Sequence, residues 1–485
     1  MEGGRAMGLN ALNERVKRDL AYLNYGAAGW VPPRTSAEGH IYDVVIVGGG
    51  QSGLGAAFGL MRERIPNLLV IDENPKGREG PWDTYARMVT LRTPKGLTSI
   101  DLGIPSLTFR AWWEALYGAS AWEALDKIPR GAWMDYLRWY RKVLELPVVN
   151  ETKLTLIEPV EQGLYRLHLE GPGAPGAHLL ARKVVLATGV QGGGRWHVPP
   201  MIEERLPRSL YAHTSEAIDF TSLQGKRLAI LGGGASAFDN ANHALADGAA
   251  EAHVFVRRDK LPSVNPIRQM EGSGMIERFH TLTDAEKYRV ISHFFQTNQP
   301  PTADMFERAA AWPGFVLHLG SPWLDVEASE GRVTVTTPHG REIFDFLIVS
   351  TGLISDPALR PELRLLERHI KRWGDVYAPP TGEENALLDQ HPYLSPGFAM
   401  RPRNEEGEAI LHGLFVFNYS ALASCGLSAS AISGTRNAIP KLVAGIADQL
   451  FTDDKPAILD AYFNYDTPEF TVTWRPAAAP AKAQS

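Results

Sequence analysis

Two stretches of the chain share one hydrophobic pattern. They read VIVGGGQSGLGAA at 45–57 and AILGGGASAFDNA at 229–241. Each is a short apolar run, then three glycines, then small residues at helical spacing. In the first copy the pattern predicts a strand over 41–47, a turn over 48–53, a helix over 54–64 and a second strand over 68–72. The second copy predicts the same unit from Arg227 to about Arg258. Before the first copy, ALNERVKRDLAYLNY places Leu12, Val16, Leu20 and Leu23 at helical spacing, and Gly and Pro break it at 29–33. The second half of 82–147 predicts helix. TLIEPVEQGLYRLHLEG and LLARKVVLATG alternate like antiparallel strands with turns between. Residues 265–312 predict mostly helix, 332–337 and 343–350 strands, and 430–449 a final helix. The tail PAAAPAKAQS is low-complexity and predicts a mobile end.

A strand that meets a helix through G-x-G-x-x-G can bring backbone against a pyrophosphate. The first glycine makes the turn, the second leaves room for phosphate, and the third lets helix and strand approach. The helix start adds free N–H groups and a partial positive charge. Gly48, Gly50 and Gly53 fill these places in the first copy, with Gln51 and Ser52 inside the turn. Gly232, Gly234 and Ala237 fill them in the second, with Ser236 inside. Alanine suits the third place because only a small residue is needed there. The end of the following strand reads the ribose. In the first copy it carries Asp72 and Glu73. Glu73 maps onto Arg257 across the 184-position spacing of the copies, and Arg258 stands beside it. A carboxylate accepts from both ribose hydroxyls, whereas an arginine suits a 2′-phosphate. Two different dinucleotides are expected: one with a free 2′-OH at the first turn, and NADP(H) at the second.

Composition narrows the class. The chain has 485 residues, 44% hydrophobic and 21% charged, with a net charge of −6, which disfavours a general nucleic-acid binder. Its one cysteine, Cys425, rules out an intramolecular disulfide and a CxxC redox pair. No run of about 18 apolar residues is present to span a bilayer, and the first twenty residues lack a signal-peptide core. A cytoplasmic setting with no membrane or nucleic-acid partner is expected. HExxH and GxSxG signatures are absent, and no metal is expected.

The order GGGQSG, VVLATG (184–189), LGGGASAFDNA and FLIVSTG (346–352) resembles the two-dinucleotide class B flavoprotein monooxygenases. That group includes flavin-containing, Baeyer–Villiger and N-hydroxylating enzymes. The resemblance covers roughly residues 40–450. EGPW (79–82) is similar to the family's GGxW segment, with Glu79 in place of a glycine. TLRTPKGLTSIDLGIPSLTF (90–109) and IPRGAWMDYLRWYRKVL (128–144) are similar to segments near the flavin in the N-hydroxylating branch. ASAFDNA matches the family's run over NADPH at Ser236 and Asp239. The Baeyer–Villiger fingerprint F-x-G-x-x-x-H-x-x-x-W is not met: Pro207, Ser209 and Ala217 stand where Phe, Gly and Trp should.

The resemblance implies an α/β protein with two Rossmann-like domains, the FAD domain discontinuous, behind an N-terminal helical extension. The expected division is 1–39 extension, 40–205 FAD domain, 206–345 NAD(P)H domain with a helical insert, 346–450 second part of the FAD domain, and 451–485 tail. Thr188–Gly189 and Thr351–Gly352 are implied at the crossings between domains. FAD and NADPH are the implied cofactors, and O₂ and a small molecule the partners. Reduced FAD would form a C4a-(hydro)peroxide with O₂ in a water-poor pocket. Gln51, Asn418 and His213 are candidates near the chemistry, and Trp82 and Arg92 for cofactor contact. Arg87, Lys95, Arg268 and Arg436 are candidates for a substrate carboxylate, which would suit N-oxidation of a small amine or amino acid. S-oxidation, Baeyer–Villiger oxidation, an NAD(P)H-dependent flavin oxidoreductase or oxidase without oxygen insertion, and a flavin sensor stay open, as does the role of a homo-oligomer or of residues 1–39.

Overall fold

The computed structural model of the protein describes residues 2–429 and 431–474; the expected mobile tail at 476–485 lies outside them. Val44, Val45 and Ile46 are fully buried, as a strand covered on both faces requires, and the strand Gly39–Val47 sits inside a largely parallel sheet. That sheet has eight strands among the described residues. Its main path runs Val148–Val149, Leu68–Ile71, Gly39–Val47, His178–Leu186, Leu164–Glu170 and Lys153–Glu161. The last three make the expected antiparallel meander. Leu414–Val416 returns from late in the chain to pair with His178–Leu186, so this unit is discontinuous in sequence.

The second sheet is parallel throughout, in the order Phe315–His318, Glu251–Phe255, Arg227–Leu231, Phe346–Val349 and Tyr211–His213. Phe346–Val349 therefore lies in this sheet, beyond the boundary expected at 345/346. The expected single strand at 343–350 is two. Gly340–Phe344 ends a three-stranded antiparallel sheet, and Asp345 breaks the run by accepting the Arg227 N–H at 2.8 Å.

Helices cover both sheets. The helix of the first turn, Gln51–Arg62, lies against a long helix, Ile432–Phe463. Gly55 and Gly59 allow this closeness: a Cβ would stand 2.5 Å from Ile439 at the first and 2.8 Å from Val443 at the second. The long helix passes the end expected at 449 because ion pairs hold its continuation. Asp454 meets Arg182 at 2.7 Å and Arg34 at 2.9 Å, and Asp453 meets Lys183 at 2.7 Å. The N-terminal extension is a helix, Glu2–Tyr22, whose Leu12, Val16 and Leu20 are buried in the first unit's core. Its Gly8 lies against Ala115 of the helix Phe109–Tyr117, and Asn13 accepts the Trp139 indole N–H at 2.8 Å. The extension thus covers its own chain's first domain. Among the described residues, no helix is long and apolar enough to cross a membrane.

Candidate active site

The first turn is built so that only glycine fits at the first and third places of its pattern, Gly48 and Gly53. Gly48 has φ +110°, and a Cβ there would lie 2.4 Å from the Ala187 carbonyl. A Cβ on Gly53 would lie 1.8 Å from the Gly48 carbonyl. Gly50, the residue before the helix, is unobstructed: the nearest atom to a Cβ there is the Gly80 Cα, at an ordinary contact distance of 3.7 Å. A bare backbone at a helix start with room before it is the cradle a pyrophosphate needs. Buried Asp72 braces it, accepting Gly49 N–H at 2.7 Å and the Asn74 N–H at 2.8 Å. Burial raises the Asp72 carboxyl above its ordinary value, against the pull of those N–H groups. Asp72 therefore shapes the turn, and Glu73 is exposed at the strand end, without a hydrogen bond or ion pair of its own among the described residues. Ser52 donates to the Ala429 carbonyl at 3.2 Å.

An aromatic wall stands beside this turn. Trp133 donates to Gln51 Oε1 at 3.2 Å and meets Trp82 edge-on, with ring centroids 6.5 Å apart. Both indoles are buried. Glu79 is buried beside them. It takes Arg141 at 2.6 Å, the Asn150 amide at 2.7 Å and Gly77 N–H at 2.9 Å. The glutamate in EGPW was visible only as a departure from the family, and its partner lies 62 positions away, beyond any local pattern.

The second turn repeats the construction. Gly232 has φ +141° and a Cβ there would lie 2.3 Å from the Ser350 carbonyl. Gly234 precedes the helix Ala235–Ala246 and has nothing within 4 Å of its Cβ position. Ala237 is buried without conflict, and Ser236 is exposed. Arg257 is exposed and free of protein partners among the described residues. Arg258 is not: its guanidinium donates to the Gln296 carbonyl at 2.6 Å and Thr297 at 3.4 Å, at the end of the helix Asp284–Thr297. Of the two arginines, Arg257 has the free fork.

The two crossings lie side by side. Gly189 and Gly352 both have positive φ, and Gly194–Trp196 pairs antiparallel with Leu353–Ser355. The Thr351 hydroxyl bonds the His197 carbonyl, and Thr188 Oγ1 accepts the Asn418 amide at 3.1 Å. Asn418 also accepts from Ser420 N–H and hydroxyl, at 3.0 and 2.8 Å. Its amide ties the late strand to the first crossing. His213 is buried, stacked on Trp196 at 5.0 Å, and accepts Ser215 N–H at 3.2 Å. Burial holds its imidazole down at about 4, so it is neutral near pH 7.

The family profile described as FAD-NAD(P)-binding matches residues 45–191, and that of L-lysine 6-monooxygenase/L-ornithine 5-monooxygenase matches 122–307. An FAD-dependent urate hydroxylase of Xanthomonas campestris pv. campestris is 59% identical over 469 residues, covering 96% of this chain and 98% of the relative. The chain belongs to the class B two-dinucleotide flavoprotein monooxygenases. Among solved structures, ornithine hydroxylase from Pseudomonas aeruginosa shares the fold, with a TM-score of 0.67 and 16% identity over 84% of this chain and 100% of that one. Ornithine N-hydroxylase from Kutzneria sp. 744 does so with a TM-score of 0.64 and 18% identity over 84% and 99%. This protein is an FAD- and NAD(P)H-dependent monooxygenase.

The cations expected to meet substrate are mostly engaged in this monooxygenase. Arg87 donates to the carbonyls of Tyr85 at 2.9 Å and Glu216 at 2.6 Å, and also to that of Thr214. Burial with Arg130 nearby lowers its guanidinium to about 10. Lys95 donates to the carbonyls of Trp122 at 2.7 Å and Leu125 at 2.5 Å, around the end of the helix Ala119–Ala124. Arg268 pairs with Glu271 at 2.9 Å and holds the Arg92 carbonyl at 3.0 Å. Arg436 is exposed on the long helix. Three of these four are thus held by other protein groups. Arg92 differs: its guanidinium has no hydrogen bond among the described residues, and Asp239 of the second turn's helix pulls on it electrostatically. Burial raises the Asp239 carboxyl to about 6, with Arg92 opposing. The lone Cys425 thiol is pushed up to about 12 by burial, so it offers no thiolate.

Proposed function

We propose that this monooxygenase adds one oxygen atom to a small, flat, anionic heterocycle of the urate type. The observation that carries the reading is the 59% identity over nearly the full length to an FAD-dependent urate hydroxylase. The state of the cations supports it. A carboxylate clamp for an amino acid would need several free cations together, and Arg87, Lys95 and Arg268 are bound to other protein groups. Arg92 alone among the expected candidates is desolvated and without a hydrogen-bonded partner, which suits one diffuse negative charge.

In this reading Gly48, Gly50, Gly53 and the start of Gln51–Arg62 hold the FAD pyrophosphate, and Glu73 takes the ribose hydroxyls. Gly232, Gly234 and the start of Ala235–Ala246 hold the nicotinamide dinucleotide. Arg257 selects NADPH through its 2′-phosphate. The chemistry that bound FAD supplies is O₂ activation and one-oxygen transfer at the expense of NADPH. The buried Trp82–Trp133 pair excludes water on one side, and neutral His213 adds no charge. The proposed boundary of the second domain falls after Val349, where its sheet ends.

N-hydroxylation of an amine is the second reading, supported by the lysine/ornithine monooxygenase profile over 122–307. NADPH-dependent oxygen uptake with urate, L-ornithine and L-lysine, read by mass detection, separates the two. A one-oxygen gain on urate is expected. A gain on the amines alone transfers the assignment to the second reading, and peroxide release whatever the substrate contradicts both.

A further inference from the structure

A second cluster of chemistry-bearing side chains lies away from both glycine turns. Glu251–Phe255 and Phe315–His318 are parallel neighbours, with Phe255 opposite His318. His253 and His318 therefore project from the same face, and on that face lies the strand Gly340–Phe344, which carries Glu342. His253 Nδ1 lies 2.9 Å from His318 Nε2. Glu342 brings a carboxylate oxygen to 3.6 Å from His253 Nδ1 and another to 3.9 Å from His318 Nε2.

We propose that His253, His318 and Glu342 bind one first-row divalent transition ion of the zinc type. The spacings decide the chemistry. Bonds of about 2.0–2.1 Å at tetrahedral angles place neighbouring ligand atoms about 3.3 Å apart, close to the separations found. Two imidazoles and one carboxylate are a donor set that zinc favours and that magnesium or calcium does not. The His253 ring is already oriented for ligation through Nδ1: its outer nitrogen, Nε2, meets Glu251 Oε2 at 2.9 Å, and Glu251 is in turn held by Arg227 at 2.5 Å. A carboxylate on the far nitrogen fixes the proton there and aims the Nδ1 lone pair inward.

His318 needs only a change of tautomer, its proton moving to Nδ1, to offer Nε2 as well. With neutral imidazoles, Glu251 and Glu342 outweigh Arg227 by one negative charge, which favours a dication. The ring of His318 lies flat on Phe255, with centroids 4.2 Å apart, so the donor is rigidly placed. Three protein ligands leave one position for water. Because the ligands come from two sheets, the ion would staple the edge strand Phe315–His318 to the three-stranded sheet. No local motif announces it: His253 and His318 stand 65 positions apart.

The test uses the full-length flavoprotein, stripped with a chelator and titrated with Zn²⁺ against a chromophoric competitor, with Mg²⁺ as a control. One equivalent of Zn²⁺ should bind and raise Tm, and Mg²⁺ should do neither. Glu342→Gln should weaken binding about tenfold or more and His318→Gln about a hundredfold, with yellow colour and NADPH oxidation retained in both. Equal affinity in the wild type and Glu342→Gln, or no Zn²⁺ bound by the wild type at equimolar micromolar concentrations, overturns the proposal. Should His318→Gln not fold, the variant at half-buried Glu342 decides alone.

Discussion

The two glycine turns share a scaffold, and four of their aligned differences bear on what lies around it. In both, the first glycine lies under the carbonyl of a crossing segment, Ala187 in one and Ser350 in the other. In both, a Cβ on the glycine before the helix would meet no clash. The third position separates them, since Gly53 touches the Gly48 carbonyl and Ala237 has no such conflict. Beneath the turn, the first copy places a buried carboxylate, Asp72, and the second places Val256 against Gly233. At the proposed ribose position the first copy carries Glu73 and the second Arg257, opposite in charge. One turn further into the helix, Gly55 packs on the long helix, and its counterpart Asp239 is a buried carboxyl near Arg92. A shared backbone device is thus built twice, and the proposed function has it hold a pyrophosphate each time. In that proposal the side chains at its rim decide which dinucleotide it takes.

The largest effect should come from breaking the third position. Gly53→Ala forces a Cβ to 1.8 Å from a backbone oxygen that cannot swing away. Retained FAD and thermal unfolding should show loss of flavin and destabilisation of about 3 kcal/mol or more. Ala237→Gly should keep both flavin and fold, with NADPH affinity within a few-fold. Next is the ribose position. Arg257→Glu should raise KM for NADPH about ten- to a hundredfold, the worth of a charge-assisted hydrogen bond, and leave KM for NADH nearly unchanged. Equal losses with both would remove the 2′-phosphate role.

Asp72→Ala should follow, because it strands the Gly49 N–H. A loss of about 1–3 kcal/mol in stability or FAD binding is expected, measurable by flavin release on heating. The smallest effect concerns Asp239. Its carboxyl sits at about 6 against an ordinary 3.8, so the folded chain holds that proton more tightly than the unfolded one. The resulting cost to folding is absent below about pH 4, grows between about pH 4 and 6, and is complete above that. Asp239→Asn should therefore stabilise the protein by about 2 kcal/mol at pH 8 and add little at pH 4. Denaturant unfolding at the two pH values would show it.

Backbone-borne features were legible in the sequence. Both turns and the meander follow from hydrophobic period and glycine placement, which act over a few residues; the two crossings follow from the family resemblance. Features set by distant partners were not. EGPW did not disclose that Glu79 would meet Arg141, nor did NPIRQM disclose that Arg268 would meet Glu271 and the Arg92 carbonyl. Arginine and lysine patterns cannot tell a free cation from one wrapped around carbonyls, as with Arg87 and Lys95. The long helix was underestimated for the same reason. The Asp453 and Asp454 that stabilise it answer to Arg34, Arg182 and Lys183 far back in the chain. Aligning the two copies is what sets Glu73 against Arg257 as the proposed ribose readers, because a repeated backbone supplies its own ruler.

The central claim is that two like turns hold two unlike dinucleotides, and anaerobic reduction of the flavin tests it most directly. Purified protein should be yellow, and NADPH should bleach the flavin rapidly in the absence of oxygen. In Arg257→Glu at limiting coenzyme, bleaching by NADPH should slow at least about tenfold, while bleaching by NADH holds its wild-type rate. A colourless protein that takes up no added FAD, or a variant in which both coenzymes act as they do in the wild type, would contradict the account.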